Sequence, residues 1–213
     1  MDYSVATITA DVRACLDEIG VNEAEFLQGS DSANMDAIIE SKIPDAIRFI
    51  NLNAPLEMLD PKNQTGSGSS NESGMVSLAL PTDYLRLCYA FIDEWKFPVN
   101  SIILYTDKQY AALKNHITTG HPDTPKVAIS VNASGRMLEL YSSSKKRDTV
   151  PVSYGYIAEP TKSGSYSINE RIYRAIVYHA AGLTLLTFKD THADSLFNMA
   201  NSIIESAKTN NVK

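Results

Sequence analysis

The chain has 213 residues, 44% of them hydrophobic and 21% charged, with a formal net charge of −6. That length can bury a substantial core as one large domain or two small ones. The acidic balance argues against a sequence-reading DNA binder, which carries a basic face, but does not exclude a protein that DNA slides past without sticking.

Cys15 and Cys88 are the two cysteines and form no CxxC pair, so neither a disulfide scaffold nor a zinc ribbon is expected. The opening Met1-Asp2-Tyr3-Ser4-Val5 has no basic segment followed by an apolar one, and no signal peptide is expected. The longest apolar tract, Ala175–Phe188, is too short to span a bilayer and contains His179. A soluble, non-secreted protein with no membrane partner is expected.

In chain order, Val5, Ile8, Val12, Leu16 and Ile19 recur at helical spacing, and Gly20 is a natural stop; a helix is predicted over Ser4–Ile19. A second is predicted over Asn34–Asn51, with Ile38, Ile39, Ile43, Ala46, Ile47 and Ile50 as its stripe. Pro44 inside it predicts a kink or a division into two helices. Asp60–Gly74 is rich in Gly, Ser and Asn and reads as a mobile loop.

The period then changes to two. Val76, Leu78 and Leu80 alternate with small residues; Leu85, Leu87, Tyr89 and Phe91 alternate with Arg86, Cys88 and Ala90. Further strands are predicted at Lys126–Val131, Arg136–Tyr141 and Val150–Ile157, with a hairpin turn at Asn132–Gly135. A short helix follows the capping box Thr106–Gln109. Two C-terminal helices are predicted, Ile168–Phe188 opened by a Ser167–Glu170 capping box, and Ala193–Ala207 opened by Thr191 and Asp194. In the first, Ile172, Ile176, His179, Leu183 and Leu186 form one face and Tyr173, Val177, Ala180 and Thr184 a neighbouring one, as in a helix with more than one partner.

The expected fold class is α+β: an antiparallel helical bundle from the N- and C-terminal helices with an inserted antiparallel β-sheet region. The expected divisions are 1–59, N-terminal helices; 60–74, flexible loop; 75–160, β-rich insertion with one short helix; and 161–213, a C-terminal helical hairpin completing the bundle.

Reactive constellations are not visible. No G-x-S-x-G elbow and no HExxH occur, and Gly66-Ser67-Gly68 lacks the Lys-Ser/Thr ending of a phosphate loop. Asp190, His192 and Asp194 have the composition of a metal cluster, but their spacing fits helix capping better. His116 and His121 have no second ligand at metal spacing. The expectation is a protein without catalytic residues, cofactor or metal. Lys145, Lys146 and Arg147 form the one basic run, read as a solvated loop or as a salt-sensitive contact with an acidic partner or nucleic-acid backbone.

Three segments carry a resemblance: Leu80–Arg86 ahead of Trp95 and Pro98, Tyr154–Pro160, and Ala175–Leu183 followed by Asp190, Ala193, Leu196, Ala200 and Ile203. With the order of elements over about residues 4–207, they resemble the head–tail adaptor (connector or ring) proteins of short-tailed phages, including the crAss-like phages. The resemblance implies a non-catalytic virion protein that forms a twelve-fold ring below the portal, extends the DNA channel and docks the tail. Implied partners are the portal protein, further copies of the chain, other neck or tail proteins and passing DNA without sequence specificity. The implied location is the virion neck, and the host cytoplasm during assembly. Candidate interface residues are Lys145, Lys146, Arg147, His179, Leu183 and Leu186, with Asp to replace either leucine expected to abolish folding or assembly. Two rival expectations are a more distal neck or tail-hub layer, and a cellular binding module whose strands present Tyr154 and Tyr156.

Overall fold

A computed structural model describes residues 1–18, 35–113, 121–133, 135–143, 147–161 and 164–210. The chain divides into a helical unit, residues 1–60 with 159–213, and a β unit, residues 61–158. Gly20, His116, Lys145 and Lys146 lie outside the described residues.

The helical unit holds α1 (Val5–Glu18), α2 (Met35–Asn53), α4 (Glu170–Thr187) and α5 (Ala193–Asn210), with a 3-10 turn at Leu56–Met58. Strands β1 (Asp2–Ser4) and β9 (Ser165–Ser167) form an antiparallel ribbon in which Asp2 faces Ser167. The N-terminal ammonium anchors it by donating to the Ile168 carbonyl at 3.1 Å. Helix α4 packs against α1, α2 and α5. Its small residues Ala175, Ala180, Ala181 and Gly182 are all buried, and let neighbouring helices approach closely.

From α1, Ile8, Val12, Cys15 and Leu16 face inward, and from α2, Met35, Ile39, Ile43, Ala46, Ile47 and Ile50. Each fully buried isoleucine contributes about 1.5–3 kcal/mol. Helix α2 runs unbroken through Pro44 rather than dividing in two. Helix α4 starts one turn-residue differently from expectation: Asn169, not Ser167, is its N-cap, accepting from the Arg171 N–H at 2.9 Å, because Ser167 is already spent in β9. At the start of α5, Asp190 accepts from the His192 backbone N–H at 2.7 Å, which holds its carboxyl below the usual range.

The β unit contains β2 (Lys62–Gly68), β3 (Met75–Ala79), β4 (Tyr84–Ile92), β5 (Ile102–Leu104), β6 (Lys126–Asn132), β7 (Gly135–Tyr141) and β8 (Val150–Ala158), with the short helix α3 (Lys108–Leu113). One sheet has the order β2-β8-β4 and the other β3-β7-β6-β5. An apolar core joins them, with Leu87, Ile92, Val150, Val152, Tyr154 and Tyr156 from one sheet and Val76, Val127, Ile129, Leu138 and Leu140 from the other, and a smaller cluster gathers Leu113, Ala128 and Tyr141. The sheets are stitched at both margins. Ala90 and Val99 exchange two backbone hydrogen bonds of 2.9 Å, and Ser70 bridges Val76.

The expected architecture therefore needs correction. Among the described residues three sheets occur where one inserted antiparallel sheet was expected; one of them belongs to the helical unit, and β5 runs parallel to β6. The expected loop 60–74 contains β2, whose seven residues pair in full with β8. Its glycines fit that role: a Cβ on Gly68 would meet Val76 Cγ1 at 2.7 Å and the Ser77 carbonyl oxygen at 3.0 Å. The alternation expected for β4 also fails. Two register shifts re-aim the strand, so that Tyr84, Leu85, Leu87, Cys88, Ala90 and Ile92 are buried while Tyr89 and Phe91 are half-buried. Tyr89 lies over Gly155, where a Cβ would come within 2.3 Å of its ring, and its hydroxyl donates to Asn63 Oδ1 at 2.9 Å across β8. The Asn132–Gly135 hairpin does form, with those two residues paired and Gly135 at φ +117°.

Among the described residues no helix is long and apolar enough to cross a membrane.

Candidate functional site

Arg147 is the described member of the basic run, and it is not free to meet a nucleic acid. Its guanidinium pairs with Glu94 and, at 3.2 Å, with Asp93, and its backbone N–H donates to Ser70 Oγ at 2.6 Å. Its charge is balanced by two carboxylates inside its own unit.

His179 is not on the surface. It is 7% exposed on α4, with Phe49 of α2 stacked on it (centroids 4.1 Å apart, planes at 9°) and Phe197 of α5 tilted against it at 4.9 Å. Its Nδ1 is buried and has no hydrogen-bond partner among the described residues. Burial lowers its pKa to about 4, so near neutral pH the ring is an uncharged filler among three aromatic-bearing helices.

Gly182, one turn further along α4, leaves the room that Phe197 occupies: a Cβ there would lie 2.6 Å from Phe197 Cε1. Gly182→Ala is expected to destabilise by about 1–3 kcal/mol despite alanine's better helix propensity. Phe197→Leu should recover part of that loss in a double-mutant cycle. Additive single effects would show that Phe197 is not what excludes the methyl group.

Leu183 is half-buried and Leu186 is 55% exposed, because the buried face of α4 runs on through Thr184 and Leu185 instead. The two leucines are therefore different cases: an Asp at Leu183 threatens folding, whereas Leu186 is a surface position. Other apolar side chains share its exposure. Phe49 (39%) and Leu52 (41%) project from α2 and Met199 (41%) from α5. Phe49 and Leu52 were legible as apolar residues three apart and off the Ile39–Ile43–Ile47–Ile50 stripe, a signal the reading of one face passed over.

The β unit holds a buried polar centre with no sequence signature. Glu139 of β7 is 9% exposed, and among the described residues the donors that meet its carboxylate are three hydroxyls. Its Oε1 accepts from Ser130 Oγ at 2.6 Å and Tyr110 OH at 3.1 Å; its Oε2 accepts from Tyr141 OH at 2.8 Å and Tyr110 OH at 3.0 Å. Burial, then the carboxylate itself, raises the pKa of both tyrosines. A carboxylate so occupied acts as a fixing point, tying α3 to β6 and β7. A second such tie joins strands in the other sheet: Asp83 accepts from Lys62 Nζ and Tyr156 OH, each at 2.9 Å. The Lys62 hydrogen bond lowers the Asp83 pKa, while burial and then Asp83 raise that of Tyr156 to about 12.

Tyr154 and Tyr156 are 5% and 2% exposed, inside the core, and offer no ligand-binding face. Among the described residues no group of three His, Cys, Asp or Glu side chains is placed to hold a metal. Asp190 and His192, the pair with metal-like spacing, bond to each other through Oδ1 and Nδ1 at 2.7 Å. No protein-family model matches the chain, and no curated protein matches it.

Proposed function

We propose that the chain is a structural protein of a virus-particle neck: an adaptor that assembles as a ring with its own copies, grips the portal, extends the DNA channel and docks the tail. The observation that supports this reading best is the exposure of Phe49, Leu52, Leu186 and Met199 on three helices of one unit. Large apolar side chains left in water on packed helices are the raw material of a protein–protein contact. The net charge of −6 suits a channel wall along which DNA must slide. The buried ionisable side chains Glu139 and His179 are committed to packing, which is how a scaffold rather than a reaction centre uses them.

The test is a native mass spectrum of the purified chain mixed with its cognate portal. A ring of copies bound to the portal supports the reading; no binding overturns the assignment to the portal-proximal layer. Leu186→Lys sharpens it. Lysine near a helix C-terminus agrees with the helix dipole, and the position is exposed, so the melting temperature should move little. Portal binding should be lost. Unchanged stoichiometry on the portal would remove Leu186 from the interface.

A further inference from the structure

Of the four outermost strands in the two large sheets, three are each met by the chain itself at one position. β4 is crossed at Ala90 by Val99, and β3 at Val76 by Ser70. β5 is stopped by Asp107, whose N–H donates to the Leu104 carbonyl while its Oδ2 accepts from the Leu104 N–H, both at 2.9 Å. β2 is the exception. Its end at Gly68 lies against β3, but among the described residues nothing bonds to the outer edge of Lys62–Gly66. Lys62, Asn63, Gln64 and Thr65 are all exposed. An edge with unpaired N–H and C=O groups is a template for another strand unless something covers it.

We infer that this edge pairs with the same edge of a second copy, antiparallel and centred on Gln64. The open stretch has its midpoint at Gln64, so the two-fold register sets Gln64 against Gln64, Asn63 against Thr65 and Lys62 against Gly66. The segment is self-complementary in that register. Its one charge, Lys62, is already bonded to Asp83 and faces a glycine. The two copies of Lys62 stand at opposite ends, about 14 Å apart along the strands, which salt screens. Amide and hydroxyl side chains fill the remaining cross-strand positions and suit one another there. A five-residue strand pair buries less than a stable interface requires, so this contact is weak and reversible on its own. It is two-fold, and stands independently of the ring.

Cysteine trapping in the isolated chain, with no portal present, tests it. Directly opposed residues in an antiparallel pair have Cα atoms about 4.5–5.5 Å apart, inside the range a disulfide spans. The native thiols, Cys15 and Cys88, are buried. Gln64→Cys should form a disulfide dimer under mild oxidation severalfold faster than Asn63→Cys or Thr65→Cys alone. An equimolar mixture of those last two should cross-link to each other faster than either does to itself. Circular dichroism and thiol titration establish that each variant is folded and its new thiol reactive. Equal rates for all three single variants, or no dimer from a folded and reactive Gln64→Cys, overturn the inference whatever the outcome with the portal.

Discussion

Glu139→Ala is expected to lower the stability of the β unit by about 3 kcal/mol or more. The substitution removes the acceptor for three hydroxyls at once. Tyr141 is 2% exposed and cannot turn to water, so its O–H is stranded at a cost of about 1–3 kcal/mol. Tyr110 and Ser130 are half-buried and recover part of their loss through solvation, but Tyr110 then ceases to hold α3 on the sheet. Glu139→Gln should fall between the two. It keeps one acceptor oxygen and turns the other position into a donor that faces donors. The check is urea unfolding with amide exchange over 108–113: a lower midpoint at unchanged slope, with α3 losing protection first. An alanine variant as stable as the parent, with α3 still protected, would falsify the role assigned to this carboxylate.

The second large effect is a loss of stability in mild acid. His179 has a folded-state pKa of about 4, below the ordinary 6.5 of the unfolded chain. The unfolded state therefore binds the proton first as pH falls. The stability of the neutral ring is fully present above pH 6.5 and is lost progressively down to about pH 4, a loss of about 1–3 kcal/mol once partial solvent screening of the ring is allowed for. The carboxyls of Asp83 and Asp190, both held below 3.8, act in a different window: their contributions disappear only below about pH 4. Thermal melts at pH 7, 5.5 and 4.5 should fall accordingly. His179→Phe separates the causes. Phenylalanine fills the space between Phe49 and Phe197, removes a buried nitrogen that has no partner, and cannot titrate. Its melting temperature at pH 7 should equal or exceed the parent's, and the drop between pH 6.5 and 4.5 should vanish. A variant with the parent's acid sensitivity would place the titrating group elsewhere.

What sequence reasoning reached, and missed, follows from the range of the forces involved. Helices α1, α2, α4 and α5 were legible because their apolar residues recur at a local period, and β8 because Val150, Val152, Tyr154 and Tyr156 alternate. β2 was not legible. Lys62–Gly68 contains no apolar side chain, and what makes it a strand is pairing with β8, nearly ninety residues later in the chain. β4 misled for a related reason: its bulges are set by its neighbours, and each reverses the face on which the following residues lie. The Glu139 centre draws on three separate elements, so no spacing in the sequence announces it. His179 was visible as a histidine on an apolar face. Whether that face met solvent or Phe49 depended on a helix more than a hundred residues earlier.

The division of the chain has a consequence for how the protein is made. The β unit is continuous in sequence, but the helical unit is assembled from both ends and depends on α4 as its shared neighbour. On the ribosome, α1 and α2 appear early, with their apolar faces complete and only each other for cover. Asp60 and Glu170 are 110 positions apart. At translation rates of about 5–20 residues per second, the wait for α4 lasts on the order of ten seconds. The β unit can close on itself during that interval, but the first two helices cannot. Newly made protein thus passes through a stage that calls for a chaperone or a slow, cool expression regime, and truncation before α4 should give insoluble product.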